Sequence, residues 1–339
     1  MTAARRKLLS ILAGIGISIV FMWLLFRNID LVQLLAALKG ANYWWLVPNI
    51  VMVMFAMYQR AYRWKFMIRP VKEVTFPRLL AATCIGFMAN NVLPLRLGEF
   101  VRAYSLAYQD RDVSKSASLA TIFVERMVFD LVALLMIFGA VISVAAVHIP
   151  DEMRLGIYLS IATALAGLAL VLYLALRPGQ AGDYMTRYLF ILPDRVKEAI
   201  KGIVHRFSTG LEFMTRPGVA SWVGVQTLLV WLFMGASNYF VFLAFGFDLP
   251  LEASYFLLVV VSISILVPSS PGFVGVYHYG TVFTLLQYGI GKEDALSFAL
   301  VLHAAQYIPI TLMGFYYLKK AHLSLSQLEQ EAVSTQAVE

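Results

Sequence analysis

The chain has 339 residues, of which 60% are hydrophobic and only 14% charged, and its net charge is +7. A soluble domain averages roughly 45–50% apolar and about 25% charged residues, so an ordinary soluble fold is excluded. The surplus of Lys and Arg follows from the positive-inside rule and needs no nucleic-acid partner, and the single cysteine, Cys84, excludes an internal disulfide and any cysteine-based zinc site.

Arg5, Arg6 and Lys7 precede an apolar run at 8–26. That run is long enough to cross a hydrocarbon core of ~30 Å. It is too long for a signal-peptide core, and no small-residue cleavage site follows it, so it reads as a retained signal-anchor helix. Apolar stretches near 43–62, 117–147, 155–176, 219–245 and 295–318 supply further spans. Basic residues gather at Arg5–Lys7, from Arg60 to Lys115, from Arg177 to Arg216 and at Lys319–Lys320; segments 28–42, 148–154, 246–252 and 291–294 are poor in them. The positive-inside rule puts the basic groups in the cytoplasm, and six crossings put both termini there too. The expected location is the inner (cytoplasmic) membrane.

Two apolar stretches remain, 79–94 and 253–267, each about 15 residues and too short to span at 1.5 Å per residue. A break follows each one, Leu93-Pro94 in the first and PSSPG (268–272) in the second, and then another helical stretch. Both flanks of 79–108 are cytoplasmic and both flanks of 253–290 are outside, so the two read as re-entrant helical hairpins entering from opposite faces. Pro94 precedes Pro268 by 174 positions, and the span near 43 precedes the span near 219 by 176. The expectation is an all-α polytopic membrane protein, a single membrane domain with about six full spans and two re-entrant hairpins. Its halves, 43–147 and 219–318, form an inverted repeat of the kind found in secondary transporters. Between them, 183–216 alternates apolar and basic residues at helical spacing, as an amphipathic linker on the inner leaflet does.

Broken backbone survives in a bilayer only where protein or a wet cavity satisfies it. Pro94 and Gly98 mark the first break, and Asn90, Asn91, Arg96, Glu99 and Arg102 surround it. Arg96, Glu99 and Arg102 are three apart and share a helix face, where mutual pairing lowers the cost of burial. Glu125, Arg126 and Asp130 fall in the middle of 117–147, and ionisable residues within a span face the interior or a cavity by default. Glu125 and Arg126 are adjacent and cannot share a face, so each needs a partner elsewhere; Arg96, Glu99 and Arg102 are the candidates. The alternative for this whole group is a polar knot that fixes helix register and binds nothing.

In the second half, Pro268, Ser269, Ser270, Pro271, Gly272 and Gly275 free backbone groups at the break, and Tyr279 follows. His303 and Gln306 share a face of the last span. His303 suits a proton relay near neutral pH, and a satisfied core histidine fits it equally. No Walker motif, zinc-protease helix or Gly-x-Ser-x-Gly elbow occurs, so no catalysis, cofactor or metal is expected.

The segments RAYRW (60–64), NNVLPLRLGEFVRAY (90–104), ERMVFD (125–130) and PSSPGFVGV (268–276) resemble the flippase-like family of the lysylphosphatidylglycerol synthase membrane domain, along nearly the whole chain. The resemblance implies movement of lipids between leaflets. Two-domain bacterial members move aminoacylated phosphatidylglycerol made by their synthase domain, and stand-alone members are associated with polyprenyl-linked and hopanoid lipids. The 339 residues leave no room for a synthase domain, so aminoacyl transfer is not expected. Tyr277-His278-Tyr279 departs from the Arg/Lys-Glu often found there, and His303 stands where an arginine is common, which leaves the head group open.

The resulting expectation is a non-enzymatic lipid flippase. Arg96, Arg102 and Arg126 would hold a phosphate-bearing head group, while Glu99, Glu125 and Asp130 orient them or take up a cation or proton. Membrane lipids are the partners, with a lipid-synthesising enzyme or a second copy of the chain as further ones. An integral membrane lipid-modifying transferase and an ion-coupled small-solute transporter fit the same pattern.

Overall fold

The computed structural model describes residues 3–145 and 209–328, with a few isolated helical positions besides. Its helices are α1 (Ala3–Phe26), α2 (Leu31–Gly40), α3 (Leu46–Ile68), α4 (Phe76–Val92), α5 (Gly98–Gln109), α6 (Lys115–Val124), α7 (Leu131–Ala145), α8 (Pro217–Ala244), α9 (Leu251–Ser264), α10 (Val276–Gln287) and α11 (Lys292–Lys320). No strand occurs among the described residues. The expected span at 155–176 and most of the linker at 183–216 lie outside the described residues.

By length and composition, three described helices can cross a membrane: Lys115–Val144, Pro217–Ala244 and Lys292–Lys320. Leu12–Phe26 and Leu31–Gly40 meet at a 90° bend and supply a fourth if they form one broken span. Asp30 fixes that bend by capping α2, its Oδ1 accepting from the amides of Val32 (2.8 Å) and Gln33 (3.3 Å). The helix expected to end near 62 continues to Ile68, and Arg60 and Arg63 on its last turns are buried in the bundle rather than exposed at the surface. Carboxylates from the 115–145 helix pair with both arginines there, and α3 itself is not among the helices that can cross by length and composition.

Both breaks are present. A short 3-10 turn, Pro94–Arg96, separates α4 from α5, and the two helices fold back on each other. Their approach is so close that a Cβ at Gly98 would overlap the Gly86 carbonyl and the Asn90 side chain. In the second hairpin, α9 packs on α10 across the stretch 265–275. The two breaks meet: the Arg96 guanidinium donates to the Ile265 carbonyl at 3.0 Å and lies 5.2 Å from the Phe273 ring centroid.

The remaining packing is crosswise. Helix α3 runs against α8, α4 packs on α11, and α9 packs on α7. Interhelical polar rungs reinforce the α3–α8 contact: Asn49 Nδ2 donates to the Ser237 carbonyl (2.8 Å), and Gln59 Nε2 to Gln226 Oε1 (2.8 Å). Lipid is as apolar as Leu, so such close packing and hydrogen bonds, about 0.6–2 kcal/mol each, hold helices together in a membrane.

Candidate functional site

The helix built from 115–145 does not run evenly. A π-turn at Glu125–Asp130 interrupts it and presents Glu125 and Asp130 to the interior. Such widened turns recur at functional sites. The side chains they meet come from α3 and α5.

Arg63 stands at the centre, fully buried. Its Nη2 lies 2.8 Å from Glu125 Oε1 and its Nη1 2.7 Å from Asp130 Oδ1, and Nη1 also donates to Thr227 Oγ1 at 2.7 Å. Arg102 brings a second guanidinium to Glu125, with Nη1 at 2.9 Å from Oε1. It stacks on the Trp64 indole, with Cζ 4.0 Å from the ring centroid. That indole is itself fixed by its N–H donating to Thr121 Oγ1 at 2.8 Å. Asp130 also accepts from Trp231 Nε1 (3.2 Å) and from Arg126 Nη1 (3.1 Å). Arg126 Nε faces Glu99 Oε1 at 3.5 Å, and these two side chains form the accessible edge of the network, 24% and 30% exposed.

Arg60 is the odd member. It is 4% exposed, and among the described residues its nearest carboxylate oxygen is Asp130 Oδ2 at 3.8 Å and its Nη1 makes no hydrogen bond. Aromatic faces surround it instead, with Phe87 at 5.1 Å and Trp231 at 5.2 Å. Phe87 also takes Arg126, at 5.0 Å. Among the described residues the four guanidiniums of Arg60, Arg63, Arg102 and Arg126 meet the three carboxylates of Glu99, Glu125 and Asp130, a surplus of one positive charge. A buried charge that is only weakly paired costs several kcal/mol, which is the electrostatic situation of Arg60.

The structure sorts the residues singled out from the sequence into three groups. Glu99, Arg102, Glu125, Arg126 and Asp130 join the network. Arg96, Glu99 and Arg102 do not form the expected triad on one face: Arg102 pairs with Glu125, Glu99 with Arg126, and Arg96 crosses to the other hairpin. The break at Pro94 turns Arg96 out of the helical register, at φ 54°. Asn90 is a turn-holding residue, its Oδ1 accepting from the Gly98 amide (2.7 Å) while its Nδ2 reaches Glu99 (3.2 Å). Asn91 ties the first hairpin to α11 through Thr311 Oγ1 at 2.8 Å.

The second-half residues gather elsewhere. Ser270 exchanges hydrogen bonds with Ser18 of α1, and Tyr279 packs on Phe21 of α1 with 40% of its surface exposed. Ser269 lies against Gly14 of α1. Gln306 links Tyr277 (3.2 Å) to Asn238 (2.9 Å), and His303 stacks on Tyr277 with centroids 4.6 Å apart. Among the described residues, no group of three or more His, Cys, Asp or Glu could hold a metal ion.

Sequence reasoning missed Arg60, Arg63, Thr227 and Trp231 as site residues. For the arginines a signal existed: they lie three apart on one face at the end of an apolar run, where the positive-inside rule offers an easier account of the same charges. Thr227 and Trp231, one turn apart on α8, carry no local signal at all.

The chain matches the family described as the lysylphosphatidylglycerol synthase TM region over residues 11–314. It is 23% identical to a protein named glycosyltransferase AglD from Haloferax volcanii, across 95% of this chain and 56% of that protein. The chain thus spans little more than half the length of that relative. A UPF0104 membrane protein of Methanocaldococcus jannaschii is 25% identical across 68% of this chain and 94% of its own length. Another, from Methanothermobacter thermautotrophicus, is 22% identical across 82% and 86%. No solved structure matches the chain. With a match running from the first apolar helix to the last, this membrane protein belongs to the lysylphosphatidylglycerol synthase TM region family.

Proposed function

We propose that the chain moves a lipid with an anionic, phosphate-bearing head group between membrane leaflets, with its acyl chains left in the bilayer. The observation that carries this reading is the surplus cation of the buried network, localised at Arg60 beside Arg126 and Phe87. A phosphate entering past the loose Arg126–Glu99 pair, 3.5 Å apart, would reach Arg60 and complete the charge balance. Glu125 pairs with two arginines and Asp130 with three, which supports a role in shaping that site rather than in proton abstraction.

Two inverted halves, each a span, a hairpin and a span, are the framework for this movement, with six crossings and cytoplasmic termini in the inner membrane. The crosswise packing supports it, since exchanging the halves turns the α4–α11 contact into the α9–α7 contact and returns α3–α8 to itself. The relative named a glycosyltransferase favours a second reading, a role beside or within lipid-linked glycosyl transfer.

The test is reconstitution into vesicles carrying fluorescent analogues of anionic, zwitterionic and neutral lipids. Wild type is expected to move an anionic class above the rate of protein-free vesicles. Arg60→Gln should slow it at least tenfold, and Arg60→Lys should recover part of the loss. Movement equal to protein-free vesicles for every class would overturn the reading. A sugar-transfer product in the same preparation would establish the second one.

A further inference from the structure

Where the second hairpin packs on α11, the two elements bring together a pair of histidines that the charged network does not use. His278 lies on the first turn of α10, 3% exposed, and His303 faces it from α11. The imidazoles meet edge to face, with centroids 4.8 Å apart and planes at 89°. His303 is sandwiched further by Tyr277 (4.6 Å) and Tyr307 (5.4 Å).

His278 has a defined structural task. Its Nδ1 accepts a hydrogen bond from the Gly275 amide at 3.3 Å, capping α10 at the point where the break ends. Accepting at Nδ1 requires a lone pair there, so the ring is neutral with its proton on Nε2. The capped backbone is one that few residues adopt, with φ 72° at Gly272, 60° at Phe273 and 90° at Gly275. It turns at Gly275 against the carbonyl of Ser18, where a Cβ would come within 2.8 Å.

Around the pair, α10 contributes Tyr277; α11 contributes Tyr307 and Gln306; and α8 contributes Asn238 through Gln306. From α9 comes Ser264, against Gly280, and from α1 come Ser18 and Phe21. The first hairpin contributes Asn91, bonded to Tyr307, and Arg96, over Phe273. Among the described residues, no hydrogen bond or ion pair joins a carboxylate to either imidazole.

We propose that His278 and His303 form a proton-binding site that releases the second hairpin from the first. A second proton on His278 can go only to Nδ1, and it converts that acceptor into a donor. The Gly275 amide then loses its partner and the cap of α10 opens. The new charge has no anion to pair with, and it is of the same sign as Arg96, which holds the two breaks together at Ile265 and Phe273. Both effects push the tips apart. His303, partly accessible where His278 is buried, is the group that passes the proton inward. This deepens the lipid-movement reading by supplying the step that opens the site, and its test does not use lipid movement.

The measurement is backbone hydrogen–deuterium exchange of the chain in lipid nanodiscs at pH 7.5 and pH 4.5, corrected for the intrinsic pH dependence of exchange. In wild type, peptides covering 268–279 should exchange at least threefold faster at pH 4.5, with α3 unchanged. His278→Gln keeps an acceptor at the same helical position but takes no proton, so it should stay protected at both values; His278→Asn serves as a second variant of this kind. His278→Ala should exchange fast at both. A wild-type hairpin indifferent to pH, or an acceptor-bearing variant that responds as wild type does, overturns the proposal. A failed vesicle assay with a pH-responsive hairpin would count against lipid movement alone.

Discussion

Arg60 and Arg63 lie one turn apart on α3 and occupy opposite electrostatic situations. Arg63 bridges Glu125 and Asp130 at 2.8 and 2.7 Å, whereas Arg60 has a single carboxylate at 3.8 Å and no hydrogen bond on Nη1. Removing Arg63 takes the central buried cation from both Glu125 and Asp130, leaving Glu125 with Arg102 and Asp130 with Arg126 and the distant Arg60. Breaking a buried pair costs about 3–5 kcal/mol. Arg63→Met is therefore expected to lower the melting temperature in detergent sharply or prevent folding. Arg60→Met relieves a surplus charge and should leave the melting temperature unchanged or raise it, while slowing lipid movement as Arg60→Gln does. Equal destabilisation by both would mean that Arg60 is an ordinary structural cation. At this scale, the acids and Arg102 were legible because charged residues in the middle of an apolar run have no reading except burial. Arg60 and Arg63 were not, because a helix end and a membrane surface look alike in sequence. Their partners are 62 or more positions away, at Glu125 and beyond.

At the scale of elements, each hairpin needs its base held as well as its tip. For the first one, loop residue Lys72 donates to Asp110 (2.7 Å) and Asp112 (2.7 Å), and Arg78 adds 2.8 Å to Asp110, tying the α3–α4 connection to the end of α5. The hydrogen bond from Lys72, helped by the charges of Lys72 and Arg78, holds the Asp110 carboxyl below its usual range. Because the folded value is depressed, this contribution is fully present above the unfolded value of about 3.9. It is lost as pH falls through the folded value. Asp110→Asn should lower the melting temperature near neutral pH by about 1–2 °C and flatten its fall below pH 4. An unchanged acid limb in the variant would show that the clamp carries no linkage. The breaks themselves were legible, since Pro94 and PSSPG interrupt runs too short to span. What they do to neighbours was not: the register of Arg96 depends on the backbone turn at φ 54°, which spacing along an assumed helix misplaces.

For the whole molecule, the meeting of the two breaks bears on the inverted arrangement proposed above. In that arrangement, hairpins entering from opposite faces meet tip to tip, which fits Arg96 against Ile265 and Phe273, and each packs on the closing span of the other half, which fits α4 on α11 and α9 on α7. Side-chain similarity between the halves is slight, so in sequence the arrangement rests on spacing and on the basic or charge-poor flanks of each hairpin; the contact between the breaks joins residues about 170 positions apart, Arg96 and Ile265. Opposed entry, as proposed, has a direct consequence for sidedness. Cys84 is buried, so Cys84→Ala gives a background without thiols in which single cysteines report position. Glu73 lies in the loop before α4, and Asp248 in the loop before α9; both are exposed. In intact cells a membrane-impermeant maleimide should label Asp248→Cys from outside, and Glu73→Cys only after permeabilisation. Labelling of both from one side would place the hairpin bases on the same face and remove the inverted arrangement, and with it the argument that one central site can be opened alternately to the two leaflets.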